Sequence, residues 1–198
     1  MEIRPVTLEG RHVRMEPLDL ERHEAGLREI GLDPDLWLHT VAKIRTPAEL
    51  RHYLETALAE QARGVAVPFA TIHRGSGRVA GCTRFANLDR HHRKVEIGWT
   101  WVGREFQRTA VNTEAKLLMF RHAFETWGML RVELKTSATN LRSQNAMRRL
   151  GLVEEGTLRR HMLNEDGSRR DSVYFSVIRE EWPEMEARLK GMRARPAS

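Results

Sequence analysis

The spacing of hydrophobic positions changes several times along the chain, and the changes mark its elements. Residues 11–19 alternate, with Val13 and Met15 on one side, and read as a strand. The period then lengthens, and 19–31 reads as a helix. A second helix is expected over 46–64, with Thr46 as its cap, Pro47 at its first position and Glu49 completing a capping box. Leu50, Tyr53, Leu54, Ala57 and Leu58 form its apolar stripe. Two strand-like runs within 67–88 flank Gly75-Ser76-Gly77 and predict a hairpin. A third consecutive strand, 93–102, sets Val95, Ile97, Trp99 and Trp101 against Glu96, Gly98, Thr100 and Val102.

Helical spacing returns over 110–127, where Leu117, Phe120, Phe124 and Trp127 repeat and Glu114, Arg121 and Glu125 fall opposite. Residues 130–138 alternate as a strand with Val132 and Leu134 inside. A short helix over 140–151 ends on Gly151. The runs 152–163 and 168–178 form a hairpin about 164–167, and a terminal helix follows from 179. The order predicts an α/β fold: a mixed, mostly antiparallel sheet with one central parallel β-α-β crossover, right-handed, around the 110–127 helix. A single domain over 1–191 is expected, with 192–198 as a frayed tail.

Composition narrows the class. The chain has 198 residues, 40% of them apolar and 30% charged, and no apolar run approaches the roughly 20 residues needed to span a bilayer. The start, "MEIRPVTLEGRHVRMEPLD", lacks an apolar signal region, and the single cysteine, Cys82, allows no intrachain disulfide. A cytoplasmic protein is expected, with no membrane contact. The net charge of +6 is carried mostly by arginine, which suits nucleic acid, an acidic cofactor or a heat-adapted surface. In "MRRLG", "LRRH" and "SRRD" the basic residues are interleaved with Glu and Asp, which argues against nucleic acid. The nine histidines are scattered, and no metal site is expected.

The segment "EFQRTAVNTEAKLLMFRHAFETWG" (105–128) carries the candidate chemistry. A polar run, Gln107 to Asn112, passes directly into a helix whose first N–H groups and dipole favour an anion. Arg104 and Arg108 add positive charge. Read structurally instead, Thr109 or Asn112 caps the helix and nothing binds.

These segments resemble the Gcn5-related N-acetyltransferases (GNAT), whose cofactor loop reads Gln/Arg-x-x-Gly-x-Gly/Ala. Gln107 matches, while Ala110 and Asn112 replace the glycines. "NTEAKLLMFRHAFE", "RVELKTSATNLRSQNAMRRLGLVEEGTLRRH" and "DGSRRDSVYFSVIREEWP" are similar to the branch that acetylates N-termini of ribosomal proteins. The resemblance implies an acetyl-coenzyme A co-substrate, its pyrophosphate held by the backbone of Gln107, Arg108, Thr109, Ala110, Val111 and Asn112. Thr100, Trp101 and Val102 would pair with its pantetheine arm through their backbone, with Trp99 and Trp101 walling the groove. Asn140 would contact the arm, although it is equally an N-cap.

The family's proton-donating tyrosine is Met147 here, which leaves Ser143 as cofactor contact and as donor to the sulfur. Glu96 is the candidate base, and an ordinary ion-paired glutamate is the alternative reading. The reaction implied is direct acetyl transfer to a primary amine, with a ribosomal-protein N-terminus as acceptor and a homodimer as the assembly. The alternatives are a small-molecule amine acetyl- or succinyltransferase, and an acyl-coenzyme A-binding or RNA-associated protein without turnover.

Overall fold

A computed structural model describes residues 3–193. The chain order is β1 (Leu8–Glu9), β2 (Val13–Pro17), α1 (Leu20–Gly31), α2 (Pro47–Ala62), β3 (Val67–His73), β4 (Val79–Asp89) and β5 (Lys94–Val102), then α3 (Ala110–Arg121), β6 (Arg131–Ser137), α4 (Leu141–Leu150), β7 (Val153–Leu163), β8 (Arg169–Ile178) and α5 (Trp182–Arg193). The strands form one sheet in the order β1-β2-β3-β4-β5-β6-β8-β7. Among the described strands only β5 and β6 run parallel, joined through α3 as the crossover expected from the sequence. The tail from 194 onward lies outside the described residues, and 192–193 continue α5.

The sheet buries both faces. One carries α3, α4 and α5, where Phe69, Phe85, Leu117, Phe120, Phe175 and Leu189 are closed off from solvent. The other carries α1, α2 and the turn Pro34–Trp37, with Leu27, Leu50, Leu54 and Trp37 at its centre. The capping box of α2 forms as read: Thr46 accepts from Glu49 N, and Glu49 accepts from Thr46 N. Gly151 closes α4 in the left-handed region at φ 102°, bonded back to Met147 and Arg148.

Three local expectations change. The helix predicted over 110–127 widens into a π turn at His122–Thr126. The wider turn carries Phe124 onto Trp182 of α5 and Trp127 onto Phe85 of β4, with ring centroids 5.5 Å and 4.6 Å apart. Glu114, expected on the solvent side of α3, is fully buried and accepts from the backbone N–H groups of Arg11, His12 and Val13. It pins the β1–β2 turn to the helix.

The third change lies in β5. Trp99 sits at φ 50°, and the β4–β5 register slips between Cys82 and Arg84, so Trp99 and Thr100 together face Thr83. This bulge reverses the alternation assumed from the sequence. Val95 and Ile97 face α3, but beyond the bulge it is Thr100 and Val102 that do so, while Trp101 turns to the α1–α2 layer. The close strand approach here requires Gly81, because a Cβ would lie 2.2 Å from the Trp101 carbonyl oxygen.

Candidate active site

The parallel pair opens. β5 and β6 pair only over Lys94–Glu96 and Arg131–Glu133. Beyond that, β5 stays bonded to β4 as far as Val102, and β6 to β8 as far as Ser137. The inner edges therefore diverge with backbone groups unpaired between them, which is the geometry an added extended chain can occupy. The starts of α3 and α4 flank the mouth, tied together where Arg142 donates to Gln107 Oε1 at 3.0 Å.

At the start of α3, Thr109 is the cap. Its hydroxyl accepts from Val111 N and donates to the Phe106 carbonyl. The first-turn amides of Ala110 and Asn112 have no partner within the helix. Ala110 and Asn112 have negative φ, so the backbone here does not need glycine; the left-handed residue of the loop is Arg108, at φ 61°. Asn112 Oδ1 is buried without a hydrogen bond among the described residues. Gln107 folds inward, its Nε2 donating to the Val102 carbonyl at 2.9 Å.

Gln107 settles which groups β5 presents. Gly103 N donates to Ala80 O, so Gly81–Val102 is a non-bonded pair and Cys82–Trp101 a bonded one. Trp101 thus spends its backbone on β4, and its side chain is buried 5.5 Å from the Trp37 ring. The expectation that Trp101 meets a pantetheine arm is corrected on both counts. By the same alternation Thr100 and Val102 direct their backbone into the cleft, and with the Val102 carbonyl taken, its N–H is what remains.

At the start of α4, Asn140 caps by accepting from Ser143 N at 3.0 Å. The Ser143 hydroxyl is half-buried and makes no hydrogen bond among the described residues. Met147 belongs to the core.

The opposite wall of the cleft is polar and aromatic. Glu96 is 3% exposed and accepts from Asn87 Nδ2 at 2.7 Å and Lys135 Nζ at 2.5 Å. It is the ion-paired glutamate of the simpler reading, and a base role has to pass around that pair. Trp99 is the tryptophan that walls this side. Its ring lies under Lys135 and, at 4.9 Å, under Arg84. Arg84 is buried, bonded to Glu60 at 2.7 Å, and also faces Tyr53. Burial raises the Tyr174 pKa, as do the negative charges of Glu96 and Glu133. Burial also pushes the Cys82 thiol up to about 11, so it behaves as a small apolar residue.

Sequence reasoning missed Arg84, Lys135, Tyr174 and the buried Lys116. Lys135 was recoverable, because it alternates with Val132 and Leu134 and so shares the Glu96 face. Arg84 and Lys116 sit in apolar runs and give no such signal. The tip of the β7–β8 hairpin reaches the segment before α2: Glu165 N donates to Val41 O, and Glu165 Oε2 accepts from Lys43 N. No group of metal-ligating side chains and no helix long and apolar enough to cross a membrane occurs among the described residues.

Comparison with known proteins adds four findings. A family model described as an acetyltransferase (GNAT) domain matches residues 12–153. A Bacillus subtilis (strain 168) protein named "Putative ribosomal N-acetyltransferase YdaF" is 29% identical over 85% of this chain and 90% of its own length. Among solved structures, a Gcn5-related N-acetyltransferase from Brucella melitensis superposes with a TM-score of 0.90 at 29% identity, covering 97% of this chain and 87% of its own. Mycobacterium smegmatis RimJ, in complex with CoA-disulfide, has the same fold at a TM-score of 0.79 and 21% identity, covering 95% of each chain.

Proposed function

The chain belongs to the GNAT acetyltransferase family, and from that premise we propose that it acetylates the α-amine of a protein N-terminus, of the ribosomal-protein type. Acetyl-coenzyme A supplies the acyl group as a thioester. The observation that carries the reading is the β5–β6 cleft, open past Glu96 and Glu133 with a helix start at its mouth. The name of the Bacillus subtilis relative supports the acceptor class.

The residues present suit the co-substrate. The amides of 107–112 and the α3 dipole favour the pyrophosphate, with Arg108 adding charge. Asn112 Oδ1 is a buried acceptor in need of a donor. Thr100 and Val102 offer backbone groups to an extended arm, and Asn140 caps the helix start that flanks the mouth. The Val102 N–H would serve as donor to a developing oxyanion, and the Ser143 hydroxyl, in the first turn of α4, as proton donor to the leaving sulfur. An α-amine has a pKa near 8, so a useful fraction is neutral at pH 7, whereas a lysine near 10.4 is far less ready. The amine therefore needs little help, and Glu96 takes its proton through water because Lys135 and Asn87 hold its carboxylate.

The test is acetyl transfer from acetyl-coenzyme A to panels of N-terminally free peptides and of small amines, read by mass spectrometry. Modification of peptide α-amines is expected. Turnover confined to small amines, with every peptide inert, overturns the acceptor assignment.

A further inference from the structure

The bulge in β5 decides which backbone groups reach the cleft. Before it Gly98 pairs with Arg84, and after it Trp101 pairs with Cys82. Continued without the bulge, the ladder would set Thr100 against Cys82. Thr100 would then spend its backbone on β4, and Trp101 would be the residue open to the cleft. The Thr100 side chain would share the face of Glu96 and Gly98, away from α3. The observed register rests on Trp99 at φ 50°, a setting that is costly for a bulky residue and persists only where its surroundings hold it.

Two sets of contacts hold it. On the α1–α2 side, Tyr53 Oη donates to the Trp99 carbonyl at 3.4 Å, and the Arg84 guanidinium lies 4.9 Å from the Trp99 ring. On the α3 side, Lys116 Nζ donates to Thr100 Oγ1 at 2.7 Å. Thr83 Oγ1 closes that group, 2.6 Å from Thr100 Oγ1 and 3.5 Å from Nζ. The second set exists in one register alone, because the regular strand would turn the Thr100 hydroxyl away from Lys116. Lys116 is 4% exposed, and among the described residues its Nζ meets these two hydroxyls and no carboxylate. A methionine would fill the same space without burying an amine. The lysine therefore burdens the fold, and supplies one thing an apolar chain cannot: a hydrogen bond specific to the bulged register.

We propose that Lys116 is a positioning residue for the acetyl-coenzyme A arm: by its bond to Thr100 it selects the bulged register of β5, in which Thr100 and Val102, and not Trp101, face the cleft with their backbone. This rests on the co-substrate reading above and adds a residue that acts on the arm without touching it.

The test is acetyl-coenzyme A affinity by calorimetry, with amide exchange by NMR, for the parent, Lys116→Met, Thr100→Val and the double variant. Thr100→Val keeps the shape of the side chain and removes the hydroxyl, so it reads the same bond if Lys116→Met does not fold. Each single variant is expected to weaken binding roughly tenfold, and the double variant no more than either alone, since the same bond is lost in all three. Lys116→Met should do so while the free protein melts no lower than the parent, a combination that general damage to the fold does not give. In the free parent the Trp101 amide, bonded to β4, should exchange far more slowly than that of Thr100, and this contrast should shrink in both single variants. Affinity within about twofold of the parent in either single variant, or fully additive losses in the double, overturns the inference. An unchanged exchange contrast also overturns it. A parent that does not bind acetyl-coenzyme A overturns the co-substrate reading, and this one with it.

Discussion

Lys116 Nζ, buried between α3 and the sheet, donates to the hydroxyl of Thr100 at 2.7 Å, one residue past the bulge that reverses the face of β5. Thr100 is bonded in turn to Thr83 at 2.6 Å. A helix residue thereby holds the segment of strand that borders the cleft.

Burial lowers the Lys116 pKa to about 7, against an ordinary value of 10.5. Between those values the unfolded chain binds more protons than the folded one, so this group makes stability rise with pH from about 7 to about 10.5. Below pH 7 its cost is present in full. Lys116→Met is expected to stabilise the fold at neutral pH by on the order of a few kcal/mol. Urea midpoints at pH 7 and pH 9 should differ less in the variant than in the parent. An unchanged pH slope would mean that Lys116 is charged in the folded state throughout.

The buried Arg84–Glu60 pair gives a second expectation. Glu60→Gln leaves a guanidinium that is 2% exposed without its anion, at a cost of about 3–5 kcal/mol. Replacing both, as Arg84→Met with Glu60→Leu, should recover most of that loss. A double variant no more stable than Glu60→Gln alone would show that the aromatic contacts to Tyr53 and Trp99, not the ion pair, hold Arg84 in place.

Ala110→Asp separates the helix from its ligand. An aspartate in the first turn of α3 favours the helix dipole, so the free protein should melt at the same temperature or slightly higher. The same carboxylate would repel a pyrophosphate. For the parent, acetyl-coenzyme A at 100 times its Kd should add about 2.7 kcal/mol, or roughly 5 to 10 °C in Tm. The variant should lose most of that shift. Retention of the shift would move the phosphate seat elsewhere.

Ser143→Ala should lower kcat by at least about tenfold while acetyl-coenzyme A affinity, measured by calorimetry, stays within about twofold. The side chain lost is a hydroxyl with no internal hydrogen bond, so the fold should be unaffected. Equal kcat in parent and variant removes the proton-donor role.

Much was legible before any coordinates. The capping box at Thr46 and Glu49, the hairpin turns, Gly151 as a helix stop and the one parallel crossover all rest on local chemistry: a side chain answers a backbone group a few residues away, or hydrophobic period separates helix from strand. The Gln107–Asn112 loop was readable for the same reason, since a helix start exposes its amides whatever surrounds it.

What escaped the sequence depended on partners far along the chain. Alternation assigned Thr100 and Trp101 to the wrong faces because one left-handed residue, Trp99, inserts a position that no period records. Glu114 looked like a solvent residue until the β1–β2 turn, about a hundred positions earlier, brought three N–H groups to it. The polar wall of the cleft likewise assembles Arg84, Glu96, Lys135 and Tyr174 from four strands. Local periodicity determined the elements and their order. Only the packed sheet decided which faces meet, because burial, bulges and ion pairs are properties of contacts between segments and leave no trace in the spacing within one.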